Sequence, residues 1–269
     1  MDRRPIGVFD SGLGGLTAVK ELSALLPGED IVYFGDTARI PYGSRSRETI
    51  LKYAQQDIAF LLSQDVKLIL AACGTVSSTY PAELAATLPV PYFGVVGAAA
   101  AAAATASRSG RIGIIGTKAT VKSGSYAAII RELRPSAQLF ANACPLFVPV
   151  IEGGYIDRDN LITTTLAREY LAPLKQEAVD VLILGCTHYP IISDILADIM
   201  GEGVTLINSG LESARAVKAA LTEQQLLCDA QSGGTLRFYV SDAPDSFSEI
   251  GSLFLGNSLH GTVEQITLG

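Results

Sequence analysis

Apolar positions along the chain fall into short continuous runs that alternate with longer segments of helical period. Ile6-Gly7-Val8-Phe9 reads as a buried strand, and Leu16, Val19, Leu22, Leu25 and Leu26 then trace one face of a helix closed by Pro27 and Gly28. Ile31-Val32-Tyr33-Phe34 is the next strand. A long helix is predicted from about Arg47 to Ser63, followed by the strand Leu68-Ile69-Leu70-Ala71-Ala72. Strands in this alternation with helices specify a parallel sheet covered on both faces, an α/β fold.

The second half repeats the first. Ile6-Gly7-Val8-Phe9 corresponds to Ile112-Gly113-Ile114-Ile115, an offset of 112 − 6 = 106. The strand ending at Phe34 corresponds to Leu139-Phe140-Ala141, where 141 − 34 = 107. Leu68 to Cys73 matches Val181 to Cys186, and Tyr92-Phe93-Gly94-Val95 matches Thr205-Leu206-Ile207-Asn208. Both lie 113 apart, since 186 − 73 and 205 − 92 each equal 113. Two similar parallel-sheet α/β lobes related by a pseudo-twofold axis are therefore expected, with the active site in the cleft between them. The predicted boundaries are residues 1–96 plus 209–269 for the N-terminal lobe and 97–208 for the second. The helix Leu211 to Leu227 and the tail Arg237 to Leu259 should pack back on the first lobe. The alanine run Ala98 to Ala104 should open a helix at the hinge.

Composition narrows the function. The 269 residues are 48% apolar and 17% charged, enough for a full core without disulfides. A net charge of −7, with no Lys or Arg run, argues against nucleic acid as a partner. The most apolar window, Val95 to Ala106, is too short to span a bilayer, so no membrane association is expected. Asp10 interrupts the apolar run after Arg3 and Arg4, against a signal peptide. Four cysteines without a secretory start point to free thiols in a reducing cytoplasm, and none has the paired spacing of a zinc site.

Ligands of parallel sheets bind outside the carboxyl ends of the strands. Here those ends carry Asp10-Ser11-Gly12-Leu13-Gly14-Gly15, Gly35-Asp36-Thr37 with Pro41-Tyr42-Gly43 beyond, Cys73-Gly74-Thr75, and Cys186-Thr187-His188-Tyr189-Pro190. All should face one cleft. The glycines after Asp10 do not fit a nucleotide loop: the dinucleotide spacing is absent and no Lys-Ser/Thr closes the segment. They suit a tight strand-to-helix turn, and Asp10 could serve as a helix cap. A single cysteine at a strand end is usually a small apolar residue. A cysteine ending the same strand in both halves is different. Cys144 and Cys228 lack such a setting and are expected to be inert, and His260 reads as surface or loop. His188, two residues after Cys186, could lower that thiol's pKa. Two acid–base groups of matched kind on opposite walls of a cleft suit a racemase, which removes a proton from one face of a carbon and returns one to the other.

These blocks, together with Tyr33-Phe34-Gly35-Asp36, Cys144-Pro145-Leu146-Phe147-Val148-Pro149, Phe238-Tyr239-Val240-Ser241 and Phe254-Leu255-Gly256, resemble the glutamate racemases of the aspartate/glutamate racemase superfamily over essentially the whole chain. The resemblance implies that Cys73 is the base toward D-glutamate and Cys186 toward L-glutamate. It implies that Asp10 and His188 assist their respective thiols, with Glu152 near the latter. Ser11, Tyr42, Gly43, Thr75 and Thr187 fall on substrate-binding positions, with Asp10, Gly74 and His188 alongside them. It further implies that no pyridoxal phosphate or metal is needed, that the product supplies peptidoglycan, and that the enzyme is a cytoplasmic homodimer. Three departures stand out. Gly74 replaces the family's usual Asn, Gly97-Ala98 replaces a charged residue and proline, and Asn208-Ser209-Gly210 replaces Asp-Ser-Ala. The alternatives are a racemase for another acidic amino acid, chiefly aspartate, and a non-catalytic two-lobed amino-acid-binding protein.

Overall fold

In the computed structural model, which describes residues 2–228, 233–256 and 262–268, the two lobes are two all-parallel sheets. The first carries β1 (Ile6–Asp10), β2 (Ile31–Gly35), β3 (Leu68–Ala71) and β4 (Tyr92–Gly94). The second carries β5 (Arg111–Gly116), β6 (Gln138–Ala143), β7 (Val181–Leu184) and β8 (Thr205–Asn208). The spatial order β2-β1-β3-β4 recurs as β6-β5-β7-β8, so the repeat in the sequence is a repeat in space. The first sheet then gains β9 (Leu236–Val240) on β2 and β10 (Val263–Gln265) on β9, both parallel. His260 lies outside the described residues, as does the end of the tail expected over Arg237 to Leu259.

Alternation along the strands sorts side chains into three apolar layers. Ile6, Val8, Leu68 and Leu70 face the same continuous core as Leu182 and Leu184 of the second sheet. Phe9, Val32, Phe34 and Ile69 point the other way, under the helix Arg47–Ser63. Ile112, Ile114, Val181 and Ile183 form the outer layer of the second lobe. The shared layer is completed by the helices Leu16–Leu25 and Ser209–Glu223, which pack on each other. The lobes are thus joined by a common core and not merely by their linkers.

The chain passes from the first sheet to the second at Gly94-Val95, where the alanine-rich helix Val95–Ala106 begins and packs on β7 and β8. Ala99, Ala100 and Ala103 are fully buried there, which explains the small side chains: the helix lies against both the helix Ser209–Glu223 and the sheet. The return begins at Asn208. Its Oδ1 accepts from the N–H groups of Gly210 and Leu211, so asparagine caps this helix as the expected aspartate would.

A buried ion pair ties the segment that follows the helix Ser209–Glu223 to the first lobe. Lys67, preceding β3, has no exposed side chain and donates to Glu29 Oε2 at 2.5 Å, and to the carbonyls of Asp2 and Leu226 at 2.9 and 2.8 Å. Glu29 Oε1 accepts the N–H of Cys228 at 2.7 Å. Removing one partner strands a buried charge, a loss of about 3–5 kcal/mol. Lys67→Met should lower unfolding free energy by that order in urea titration, and adding Glu29→Gln should restore part of it. A loss under about 1 kcal/mol for Lys67→Met would show that the pair does not hold the segment at Leu226 and Cys228.

Candidate active site

The carboxyl ends of both sheets open on one cavity of about 480 Å³ between the lobes. From the first lobe it is lined by Asp10, Ser11, Tyr42, Gly43, Cys73, Gly74 and Thr75. From the second come Glu152, Cys186, Thr187 and His188. The residues that the family resemblance implied for proton transfer and substrate binding therefore meet in one place, within the size range of small-molecule sites. The two thiols are almost equally buried, Cys73 at 5% exposure and Cys186 at 6%, as their equivalent strand ends require.

Asp36 and Thr37 do not share this fate. They were expected to face the cleft with the other strand-end groups, yet neither lines the cavity. Asp36 is fully buried and bound by Arg39, Tyr42 and Ser241, while the Thr37 hydroxyl donates to the carbonyl of Asp242. A guanidinium and two hydroxyls outcompete the cleft for this carboxylate.

The surroundings of the two thiols differ. Cys73 Sγ donates to Ser11 Oγ at 3.5 Å. Burial, then the neighbouring charge of Asp10, pushes its pKa up to about 12, so Cys73 rests as the thiol. Asp10 accepts the N–H of Gly12 through Oδ2, while Oδ1 is buried with no partner among the described residues. Burial raises its pKa, and the charge of His188 across the cavity works the other way.

Cys186 Sγ stands 3.9 Å from His188 Nδ1, and His188 Nε2 lies 2.9 Å from Glu152 Oε1. Burial disfavours the charged ring, but the hydrogen bonds to Cys186 and Glu152 outweigh it and raise the His188 pKa to about 10. The imidazolium thus faces the Cys186 sulfur, where its charge complements a thiolate. Phe254, on the tail helix Pro244–Leu255, meets the ring edge-on at 5.1 Å. The tail therefore buttresses the imidazole as well as extending the sheet.

Direct contacts set the lobes against each other. The Thr17 hydroxyl donates to the carbonyl of Thr187 at 2.8 Å, and Thr75 Oγ1 lies 3.1 Å from Thr117 Oγ1. A Cβ on Gly14 would stand 2.2 Å from Thr187 Oγ1, so this glycine serves close approach. Gly74 is the more telling case. A Cβ there would lie 2.5 Å from the carbonyl oxygen of Gly185. The position of the expected Asn side chain is filled by the other lobe's backbone, and an Asn would require the two loops to stand further apart.

Residues outside the sequence reading also line the cavity. Thr117 and Lys118 follow β5 as Ser11 follows β1. The repeat's own offset locates Thr117 opposite Ser11, since 117 − 11 = 106. Cys144 lines the wall beside Pro145, and burial raises its pKa, so it reaches the cavity as a neutral thiol.

Two parallel α/β lobes with a thiol at the end of the same strand in each suit a racemase, which exchanges protons on two faces of one carbon. The family model described as Asp/Glu/Hydantoin racemase matches residues 14–217. A glutamate racemase of Geobacter metallireducens is 43% identical over 268 residues, covering 100% of this chain and 98% of its own. The structure of a Francisella tularensis glutamate racemase in complex with D-glutamate superposes with a TM-score of 0.91 at 40% identity, covering 100% and 99% of the two chains. That of a Thermus thermophilus glutamate racemase in complex with β-chloro-D-alanine gives 0.89 at 40% identity, with the same coverage. The chain belongs to the Asp/Glu/Hydantoin racemase family, and within it to the glutamate racemases.

The raised pKa of His188 has a consequence for stability. A group whose folded pKa lies above its unfolded value stabilises fully below the latter and loses that contribution as pH rises through the former. Here the window runs from 6.5 to about 10. His188→Asn should therefore destabilise most in mildly acidic buffer, and the deficit relative to wild type should shrink as pH approaches 10. A deficit independent of pH in chemical denaturation would show that the imidazolium is not the favoured form.

Proposed function

We propose that the protein interconverts L- and D-glutamate by moving the α-proton between Cys186 and Cys73. The observation that carries this reading is the pair of equally buried thiols ending equivalent strands in one cavity. From L-glutamate, a Cys186 thiolate takes the α-proton while the Cys73 thiol gives its proton to the opposite face. The result is D-glutamate, a Cys186 thiol and a Cys73 thiolate, and the reverse reaction restores the start. The resting ionisation suits the L-to-D direction, because Cys73 holds its proton and His188 carries positive charge beside Cys186. The α-proton is weakly acidic, so the site must stabilise carbanion character or move both protons nearly in concert.

Binding is assigned to the remaining wall groups. The Asp10 carboxyl suits the substrate ammonium, while Ser11, Thr75 and Thr187 with the Tyr42-Gly43 and Gly74 backbone suit its carboxylates. His188 and Glu152 act on the Cys186 side. In this scheme the protons travel on sulfur, and no cofactor or metal takes part. The family reading extends to a cytoplasmic homodimer whose D-glutamate enters peptidoglycan. No helix among the described residues is long and apolar enough to cross a membrane.

Turnover of L-glutamate in D₂O, stopped early, tests the proton path. The D-product should carry α-deuterium while recovered L-substrate carries almost none, and the pattern should reverse from D-glutamate. Cys73→Ala and Cys186→Ala should each abolish racemisation in both directions, because the thiols act as a unit. Deuterium washed into recovered substrate at low conversion, or racemisation surviving in either variant, contradicts the two-thiol path. Turnover of aspartate in preference to glutamate would reassign the substrate.

A further inference from the structure

Behind the cavity wall at Tyr42-Gly43 lies a buried cluster that the proton path does not use. The Tyr42 hydroxyl touches two carboxyl groups: it donates to Asp36 Oδ2 and stands 3.1 Å from Asp57 Oδ2. A phenol has one proton to give. Asp36 is well supplied with donors, taking Arg39 Nε at 2.5 Å on Oδ2 and Ser241 Oγ at 2.8 Å on Oδ1. The Ser241 hydroxyl itself accepts the N–H of Ala38, which leaves its proton for Asp36. Asp57, on the helix Arg47–Ser63, receives Arg39 Nη2 at 3.0 Å on Oδ1. Its Oδ2 faces the Tyr42 oxygen, whose proton is already committed to Asp36.

Two acceptors facing each other at that distance in a buried site would leave both unsatisfied. A proton on Asp57 Oδ2 removes the conflict and completes a chain from Asp57 to Tyr42 to Asp36. The charge count agrees. Asp36 and Asp57 have no side-chain exposure, and the guanidinium of Arg39 bridges them, so one proton brings the cluster to neutrality. Arg39 also contacts Gln56 Oε1 at 2.5 Å and lies over the Tyr53 ring, neither of which supplies a further charge.

We propose that Asp57 is held as a neutral carboxylic acid that donates to Tyr42, and that it is thereby a positioning residue for the Tyr42-Gly43 wall of the substrate cavity. Burial, then the charge of Asp36, raises the Asp57 pKa, in keeping with this assignment. The Tyr42 hydroxyl, held between Asp36 and Asp57, is thereby engaged away from the substrate. The Tyr42-Gly43 backbone is then as well fixed as the hydroxyl behind it.

The positioning role rests on the racemase reading, whereas the protonation state does not, and the experiment separates them. Infrared difference spectra between wild type and Asp57→Asn at neutral pH should show loss of a protonated-carboxyl C=O band. This readout needs no turnover, so it stands even for a protein that failed to racemise glutamate. In kinetics, Asp57→Asn keeps an N–H for Tyr42 and a carbonyl for Arg39. Its KM for glutamate should stay within about twofold of wild type, while Asp57→Leu should raise KM about tenfold with kcat little changed. Loss of carboxylate bands, or an Asn variant as impaired as the Leu variant, overturns the neutral acid. An unchanged KM in Asp57→Leu overturns the positioning role, and should that variant not fold, an unchanged KM in Tyr42→Phe, which removes the hydroxyl that Asp57 holds, overturns it instead.

Discussion

Both cavity thiols at equivalent strand ends sit one residue from a place where the lobes meet backbone to backbone. Gly74 has no room for a side chain because the carbonyl of Gly185 occupies the space, and Cys73 and Cys186 are their immediate neighbours. A proton passed across a tetrahedral carbon needs two groups held at a fixed separation, and reacting atoms must come within about 3–3.5 Å. Two flexibly linked lobes would not hold that spacing. Here it is set by β3 and β7, whose ends place the cysteines, and by the core that both sheets share. The Thr17–Thr187 and Thr75–Thr117 contacts brace the loops on either side.

On this duplicated frame the chemistry is deliberately unequal. Equivalent strand ends supply the same nucleophilic atom at the same depth, but the neighbours are not duplicated. One thiol has a hydroxyl and a buried carboxyl, the other an imidazolium backed by Glu152. The inequality leaves the Cys73 thiol protonated by its burial and puts the positive charge of His188 beside the other sulfur. The tail contributes on the same side. By adding β9 to β2 and laying Phe254 against His188, it couples the last described helix to the ionised ring.

Strand order, the repeat and the two cysteines were legible in the sequence because they rest on local patterns: runs of buried residues, and one residue type recurring at one register. Gly185-Cys186-Thr187-His188 could be read as a unit for the same reason. What escaped depends on contacts between distant segments. Asp36 looked like a cleft residue from its strand end, and only the fold brings Arg39, Tyr42, Asp57 and Ser241 around it. Gly74 looked like a lost side chain, and only the approach of Gly185 shows why none fits. Thr117 was within reach of the internal offset, whereas nothing local marks Phe254 as a neighbour of His188 or Asp57 as a partner of Tyr42.

The proposed proton path requires the two sulfurs to face one α-carbon from opposite sides, one taking a proton and the other giving one. A crystal structure of this protein with D-glutamate in the cavity tests it most directly. The substrate α-carbon should lie between Cys73 and Cys186, with the sulfurs on opposite faces and about 6–8 Å apart, each near enough to exchange a proton with it. Sulfurs on the same face of the bound α-carbon, or separated well beyond that range with substrate in place, would contradict it.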